Sequence, residues 1–387
     1  TTRAALMRVM QEQLVGRRTI VAFGAEKEEM SRFHAVATAD KEAKVRMEVE
    51  RVIPPTLVQA ISSVGIGLLL WFGGEQVVLG HLEASELAGF SGAIVLMSRP
   101  LSGLSEVWSL LQRSLAALER VYAALDALPD IRSPDKPTAL PSGGLPINWN
   151  NVCLSFGEGP VLDGFNLAVA AGEWVAIVGA TGAGKSSALK LLCRERDVDD
   201  GAVLLGGVDV RALALRDLRS AIALVPQSGF IFARSIGDNI RMGVPDASDA
   251  DVEAAAESAG IASFIRGLPN GYGTPLNELG TRLSGGQAQR ISMARALLTR
   301  ARVLILDEAT NQVDAPTEAA IIDALTQQRG KRTIVMVAHN FSAVRNADRI
   351  IVLEAGKVAE SGTHEELVSR RGAYATMWAA QEGTSCP

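Results

Sequence analysis

Residues 179–186 read Gly-Ala-Thr-Gly-Ala-Gly-Lys-Ser, and no other stretch narrows the possible folds as far. The apolar run from Trp174 to Val178 ahead of it reads as a buried strand, and the run from Ser186 to Cys193 behind it reads as a helix. Strand, glycine loop and helix in that order are the context that the pattern G-x-x-x-x-G-K-S/T requires, so this part of the chain is an α/β domain. The glycines let backbone N–H groups turn inward around phosphate oxygens, and the helix adds the positive end of its dipole. The predicted phosphate-binding set is Gly179, Thr181, Gly182, Ala183, Gly184, Lys185, Ser186 and Ser187. Lys185 is expected to bridge β- and γ-phosphates and Ser186 to ligate Mg²⁺. A glycine turn with no ligand is the bland reading, and the register of strand, loop and helix counts against it.

Two more features fit a nucleotide site. Val303 to Asp307 is a strand-like run ending in a carboxylate, with Glu308 directly after it. Acids at the carboxyl edge of a sheet lie where α/β folds bind ligands. Asp307 is suited to hold Mg²⁺ through water, and Glu308 to polarise an attacking water. Leu283 to Gln287 reads Leu-Ser-Gly-Gly-Gln and opens a helical run. Ser284 with Gly285 and Gly286 at a helix start forms a second anion-binding geometry, or equally an ordinary Ser cap followed by a glycine turn.

The N-terminal third has a different character. Val52 to Gly74 runs 23 residues without a charged side chain, enough for a helix to cross a hydrocarbon core. A second candidate, Leu87 to Leu111, is interrupted by Arg99 and Glu106. Arg99 before Pro100 reads either as a kink with a face on a watery cavity or as a helix near the interface. Lys41, Lys44, Arg46 and Arg51 precede the first candidate span, Arg113 and Arg120 follow the second, and Glu75 to Glu86 between them holds no Lys or Arg. The positive-inside bias then puts both outer flanks in the cytoplasm. The charged run Glu26 to Arg51 reads as a solvated helix below the membrane. Five prolines and a Gly pair between residues 126 and 146 mark a linker.

Composition sets outer limits. The chain's 387 residues favour two or three domains, and a hydrophobic content of 48% is ample for a core. A net charge of −5 supplies no basic field, which argues against nucleic acid as the main partner. Cys153, Cys193 and Cys386 lack metal-ligand or redox-motif spacing and read as free thiols in a reducing compartment. No signal peptide is visible, because the first fifty residues mix Arg with Glu and have no short apolar core.

In order, the phosphate loop, Val225-Pro226-Gln227-Ser228, Leu-Ser-Gly-Gly-Gln, Val303 to Thr310 and Val337-Ala338-His339 resemble the nucleotide-binding domains of ABC transporters from Ile147 to the C-terminus. The resemblance implies an α/β P-loop NTPase (ABC ATPase) domain with a helical subdomain, preceded by an all-α partial transmembrane domain. The expected division is 1–125 membrane region, 126–146 linker and 147–387 nucleotide-binding domain. In that family ATP is sandwiched between the phosphate loop of one domain and the Leu-Ser-Gly-Gly-Gln of another. Ser284, Gly285, Gly286, Gln287 and the loop residue Asp314 are thus expected to complete the site of a second chain, homo- or heterodimeric. The family's roles fall on Gln227 as a contact of Mg²⁺, His339 as the γ-phosphate sensor and Glu308 as general base. Phe156 stands where a Tyr usually stacks on adenine, with a core position as its alternative. Asn311-Gln312-Val313 and Asn340 depart from the common pattern beside Asp314 and His339.

The first third resembles exporters of that family. Gly16 to Glu29 looks like the second intracellular loop with its coupling helix, Leu82 to Leu125 like the sixth membrane helix, and Glu278 like the acid that meets coupling helices. Six membrane helices per half are usual, so about four are expected from elsewhere, by truncation or a separately encoded piece. The implied function is ATP-driven export of an unidentified substrate at the cell inner or plasma membrane, in contact with lipid, with the ATPase domain cytoplasmic. The alternatives are a truncated ATPase that binds ATP without transport, an importer's separate subunit, and a soluble ABC ATPase acting on nucleic acid or ribosomes.

Overall fold

A computed structural model describes residues 2–157, 159–276, 283–309, 315–338 and 340–382. The chain divides into two units after Leu128.

The first unit is all helical: α1 (Thr2–Val15), α2 (Arg17–Phe23), α3 (Glu26–Val78) and α4 (Ala84–Leu125). Gly16 separates the first two, and Gly24, at φ 62, ends α2 with its N–H returned to Ile20 and Val21 carbonyls, the left-handed cap that glycine adopts without steric cost. The charged run and the apolar run are one helix. α3 continues for 53 residues, about 80 Å, through Pro54 and Pro55. Among the described residues, Gln59–Val78 is the segment long and apolar enough to cross a membrane. Its start lies seven residues inside the uncharged run, and its end includes Glu75. The second apolar run lies within α4, which opens on a capping box between Glu83 and Glu86. The Arg99 side chain lies outside the described residues. At the other end of the unit Arg32 pairs with Glu12 at 3.2 Å, and Gln13 donates to the Glu29 carbonyl at 2.8 Å, joining α1 to the start of α3.

The second unit is α/β. Its strands are β1 (Ile147–Ser155), β2 (Pro160–Val169), β3 (Trp174–Gly179), β4 (Asp200–Leu205), β5 (Val208–Asp209), β6 (Ile222–Val225), β7 (Val303–Asp307), β8 (Thr333–Val337), β9 (Arg349–Glu354) and β10 (Lys357–Gly362). Its helices are α5 (Lys185–Leu192), α6 (Leu215–Ala221), α7 (Ile236–Ile240), α8 (Asp249–Ser258), α9 (Ala262–Arg266), α10 (Gly285–Leu298), α11 (Ala315–Gln328), α12 (Phe341–Val344), α13 (His364–Ser369) and α14 (Ala373–Glu382). One sheet is antiparallel, ordered β2-β1-β4-β5, and the other runs β10-β9-β3-β8-β7-β6 with β9, β3, β8, β7 and β6 parallel.

The larger sheet is apolar on both faces, as parallel sheets must be. Side chains alternate along each strand. Trp174, Ala176 and Val178 join Leu304, Leu306, Ile334 and Met336 in one core, while Val175 and Ile177 join Val303, Ile305, Val335 and Val337 in the other. The first core also takes Ile240 of α7, Val252 of α8, Ile265 of α9 and Ile291 of α10, so this helical group is packed onto the sheet. The second takes the antiparallel sheet through Trp149, Phe165 and Leu167. Leu145, ahead of β1, is also fully buried there.

Candidate functional site

Because β3, β8, β7 and β6 are adjacent and parallel, whatever follows them emerges at one edge of the sheet. The glycine loop follows β3, Glu308 follows β7, and Gln227 comes two residues after β6. Gly182 and Gly184 have φ of 84° and 101°, backbone that glycine adopts freely. At Gly184 a Cβ would also lie 2.8 Å from the Val161 carbonyl oxygen and the Leu162 side chain, so the loop's approach to β2 itself requires glycine. α5 begins at Lys185 with Gly184 as its cap.

Lys185 is buried, and its ammonium donates to the carbonyls of Gly179 at 2.8 Å and Ala180 at 2.9 Å. Burial lowers its pKa, while Glu308 and Asp307 pull it back up. Ser186 Oγ donates to Asp307 Oδ1 at 3.0 Å, and Gln227 Nε2 donates to Glu308 Oε2 at 2.6 Å. Burial raises the Asp307 pKa, against the Ser186 hydrogen bond. The Glu308 backbone is left-handed at φ 52, and its N–H donates to the Val337 carbonyl at 2.8 Å. A non-glycine residue in that region stores strain of about 1 kcal/mol or more, and such positions cluster at functional sites.

Lys185, Ser186 and Glu308 share one cleft of about 300 Å³, lined also by Phe156, Val161, Thr181, Gly182, Gly184 and Ser187, with Asp307 and Gln227 bonded to its wall through Ser186 and Glu308. Phe156 is half exposed, so it is not a core residue. Its ring carries the Arg196 guanidinium at 4.6 Å from the centroid. Sequence reasoning passed over Val161, which sits in no motif and reaches the cleft through the fold of β2, and Arg196, which meets the Phe156 ring without lining the cleft. A larger cavity, about 670 Å³, lies between α3 and α4 with Leu68, Phe72, Gln76, Glu86 and Phe90 on its walls, and it holds no phosphate-binding loop.

Ser284 to Gln287 do not line the cleft. They begin α10 as a capping box, in which Gln287 N–H donates to Ser284 Oγ at 3.2 Å and Ser284 N–H to Gln287 Oε1 at 2.9 Å. Ser284 and Gly285 are exposed. Further along α10, Gln289 donates to the Pro226 carbonyl at 3.0 Å and Arg295 to the Phe230 carbonyl at 2.8 Å, which pins the segment bearing Gln227. His339, Asp314 and Glu278 lie outside the described residues, as do Asn311, Gln312 and Val313. Asn340 is described: its amide donates to the buried Glu318 at 2.7 Å, which also accepts from Ser342 Oγ at 2.5 Å.

The oxygens at the cleft are those a hard divalent cation takes: the Ser186 hydroxyl bonded to the Asp307 carboxylate, with the Gln227 amide bonded to Glu308 beside them. Mg²⁺ needs few protein ligands when phosphate and water supply the rest, so the residues present fit it. No cluster of three or more His, Cys, Asp or Glu capable of holding a metal occurs among the described residues.

Comparison with known proteins agrees with this arrangement. Residues 162–311 match the family model described as ABC transporter, and residues 1–101 match that of the ABC transporter transmembrane region. The chain is 36% identical over 377 residues to an ATP-dependent lipid A-core flippase of Syntrophus aciditrophicus, covering 96% of this chain and 62% of the relative. It is 35% identical over 379 residues to the uncharacterized ABC transporter ATP-binding protein YknV of Bacillus subtilis, covering 97% and 62%. It thus spans about three fifths of the length of these curated relatives. Among solved structures, a bacterial Atm1-family ABC exporter with ATP bound superposes with a TM-score of 0.87 at 32% identity, covering 98% of this chain and 68% of that one.

Proposed function

This chain belongs to the ABC transporter family, with the exporter arrangement of helical membrane region ahead of an ATP-binding domain, and from that premise we propose that it binds and hydrolyses ATP to move a substrate across or between the leaflets of a membrane. The observation that carries this reading is the meeting of Lys185, Ser186, Asp307, Gln227 and Glu308 at the carboxyl edge of one sheet.

The chemistry follows from what each side chain can do. The amides of residues 182–187 and the start of α5 take the phosphates. Lys185, close to Asp307 and Glu308 but largely desolvated, is a fixed positive charge for the β- and γ-phosphate oxygens. Ser186, Asp307 and Gln227 would hold Mg²⁺, which when bound neutralises charge developing on those oxygens. Glu308, oriented through Gln227 at 2.6 Å, positions water and accepts its proton. Phe156 offers a stacking face for adenine. His339 and Asp314 are assigned to γ-phosphate sensing and to the dimer interface on the family pattern alone.

Ser284 and Gly285 are exposed at the start of α10 and line no part of the cleft, which suits a role on the nucleotide of a second copy. The working unit is accordingly a dimer of such chains, in which ATP closes the pair and hydrolysis reopens it. In this reading the ATP-binding domain is cytoplasmic and the chain lies in the cell's inner or plasma membrane; the charge asymmetry around α3 and α4 supports that orientation. Relatives named as lipid A-core flippases support a lipid-like substrate.

The test is ATPase activity and nucleotide binding of the chain in lipid nanodiscs. Glu308→Gln is expected to bind ATP normally, accumulate as a closed dimer, and lose at least about a hundredfold in turnover. Lys185→Ala is expected to lose nucleotide affinity about tenfold or more. Turnover surviving Glu308→Gln removes the general-base assignment, and normal ATP affinity in Lys185→Ala removes the phosphate-loop assignment.

A further inference from the structure

The cation stacked on Phe156 belongs to none of the motifs. Arg196 lies four residues beyond α5, and its guanidinium sits 4.6 Å from the Phe156 centroid. Phe156 follows the last residue of β1, Ser155, and Asp199 holds that strand end: its carboxylate accepts the Ser155 N–H at 2.7 Å, and its own N–H donates to the Cys153 carbonyl at 3.0 Å. The same carboxylate lies 3.8 Å from Arg196, whose Nη2 also donates to the Ser155 carbonyl at 3.2 Å. Arg196 is therefore tethered twice to the strand end that carries the ring. Phe156 lines the cleft and Arg196 does not, and the cation occupies one face of the ring. Every polar side chain on the wall, from Thr181 to Ser187 together with Glu308, belongs to the phosphate end, which leaves Phe156 and Val161 for a base.

We propose that Arg196 is a positioning residue for the nucleobase: it holds the Phe156 ring from behind so that the base stacks on the ring's other face, giving a layered stack of base, phenyl and guanidinium. The inference rests on the reading of the cleft as an ATP site. An unbranched Phe at the end of a strand, half exposed and with no hydroxyl to anchor it, loses rotamer freedom when a base stacks on it. A guanidinium fixed by Ser155 and Asp199 removes part of that cost in advance and adds cation–π attraction. The contribution is to ground-state binding of the base and leaves the phosphoryl transfer step alone.

Binding is measured on the full chain in nanodiscs, in the Glu308→Gln background to stop hydrolysis, with two probes: MgATP and the Mg²⁺ complex of inorganic tripolyphosphate, which has the phosphates without the base. Arg196→Ala is expected to weaken MgATP by about three- to tenfold and to leave tripolyphosphate within about twofold. Arg196→Lys is expected to recover part of the loss, and Arg196→Ala added to Phe156→Leu to have no further effect. Equal weakening of both probes would mean that Arg196 only supports the strand end, and would overturn the proposal. So would tighter MgATP binding, which would mean that Arg196 competes with the base for the ring. If the Glu308→Gln parent bound neither probe, the nucleotide reading itself would fall and this inference with it; if it bound both equally, only the stack would fall.

Discussion

Cys193 shows how position decides chemistry at the scale of one side chain. It follows α5 directly and packs against the second core, and burial pushes its thiol up to about 12, with Glu195 and Asp307 adding to the shift. The thiolate is the reactive form, so at pH 8.5 the folded thiol stays protonated. Iodoacetamide at that pH is expected to leave Cys193 unmodified in the folded protein and to alkylate it rapidly in guanidinium. Peptide mapping reads both, and brisk native labelling would contradict the burial. The sign of the linkage follows: the folded value lies above the unfolded value of about 8.5, so the stability this thiol confers is full below about pH 8.5 and lost as pH rises towards about 12. Which residues were readable from sequence has a similar physical basis. Gly182, Gly184, Lys185, Ser186, Asp307 and Glu308 are fixed by constraints within a few positions of themselves, a left-handed backbone or a strand end, and such constraints leave motifs. Val161 reaches the cleft, and Arg196 the ring of Phe156, through contacts with chain about twenty and forty residues away. Spacing holds no trace of that.

Elements were legible where one force dominates them. β3, β7 and β8 are buried on both faces, and their unbroken apolar runs say so. α3 was harder, because its charged and apolar stretches imply different surroundings while the backbone continues through both. Pro54 and Pro55 remove two intrahelical donors, too few to end a helix of 53 residues. The start of α10 carried two readings, a nucleotide contact and a plain cap, and the geometry supports the cap directly. Ser284 accepts from the Gln287 N–H, and Gln287 returns to the Ser284 N–H. Ser284→Ala is therefore expected to cost about 1 kcal/mol of unfolding free energy for the ATP-binding unit, whatever it does to turnover. Urea denaturation of the membrane-free unit measures this, and an unchanged midpoint would mean that the serine serves function alone. Helix α10 has a second use: through Gln289 and Arg295 it fixes the carbonyls of Pro226 and Phe230 on either side of Gln227.

For the whole molecule, the question is where the ATP-binding unit begins as a folding unit. A proline-rich composition between residues 126 and 146 reads as a tether, since it offers neither helical nor strand periodicity. Yet the chain divides after Leu128, and the stretch that follows is bonded into the second unit. Ser133 Oγ accepts the Leu215 N–H at 3.0 Å, Thr138 N–H donates to the Ala212 carbonyl at 2.8 Å, and Arg302 donates to the Pro141 carbonyl at 2.5 Å and to that of Gly143 at 3.0 Å. Leu145 is fully buried, and its carbonyl accepts from Thr333 Oγ1 at 2.8 Å. Composition cannot reveal this, because a strap held largely through its own backbone N–H and carbonyl groups needs no periodic side chains. Removing residues 129–146 would expose the pocket of one leucine, about 2 kcal/mol, and delete several hydrogen bonds worth about 1 kcal/mol each before the entropy of ordering the strap is subtracted. A fragment of residues 129–387 is expected to exceed one of residues 147–387 by about 3 kcal/mol in urea unfolding, with the m-value slightly larger because more surface is buried. Equal midpoints would show that the strap contributes contacts without net stability. In that case the physical boundary would move to β1, and the segment after α4 would act as the free tether its composition suggests.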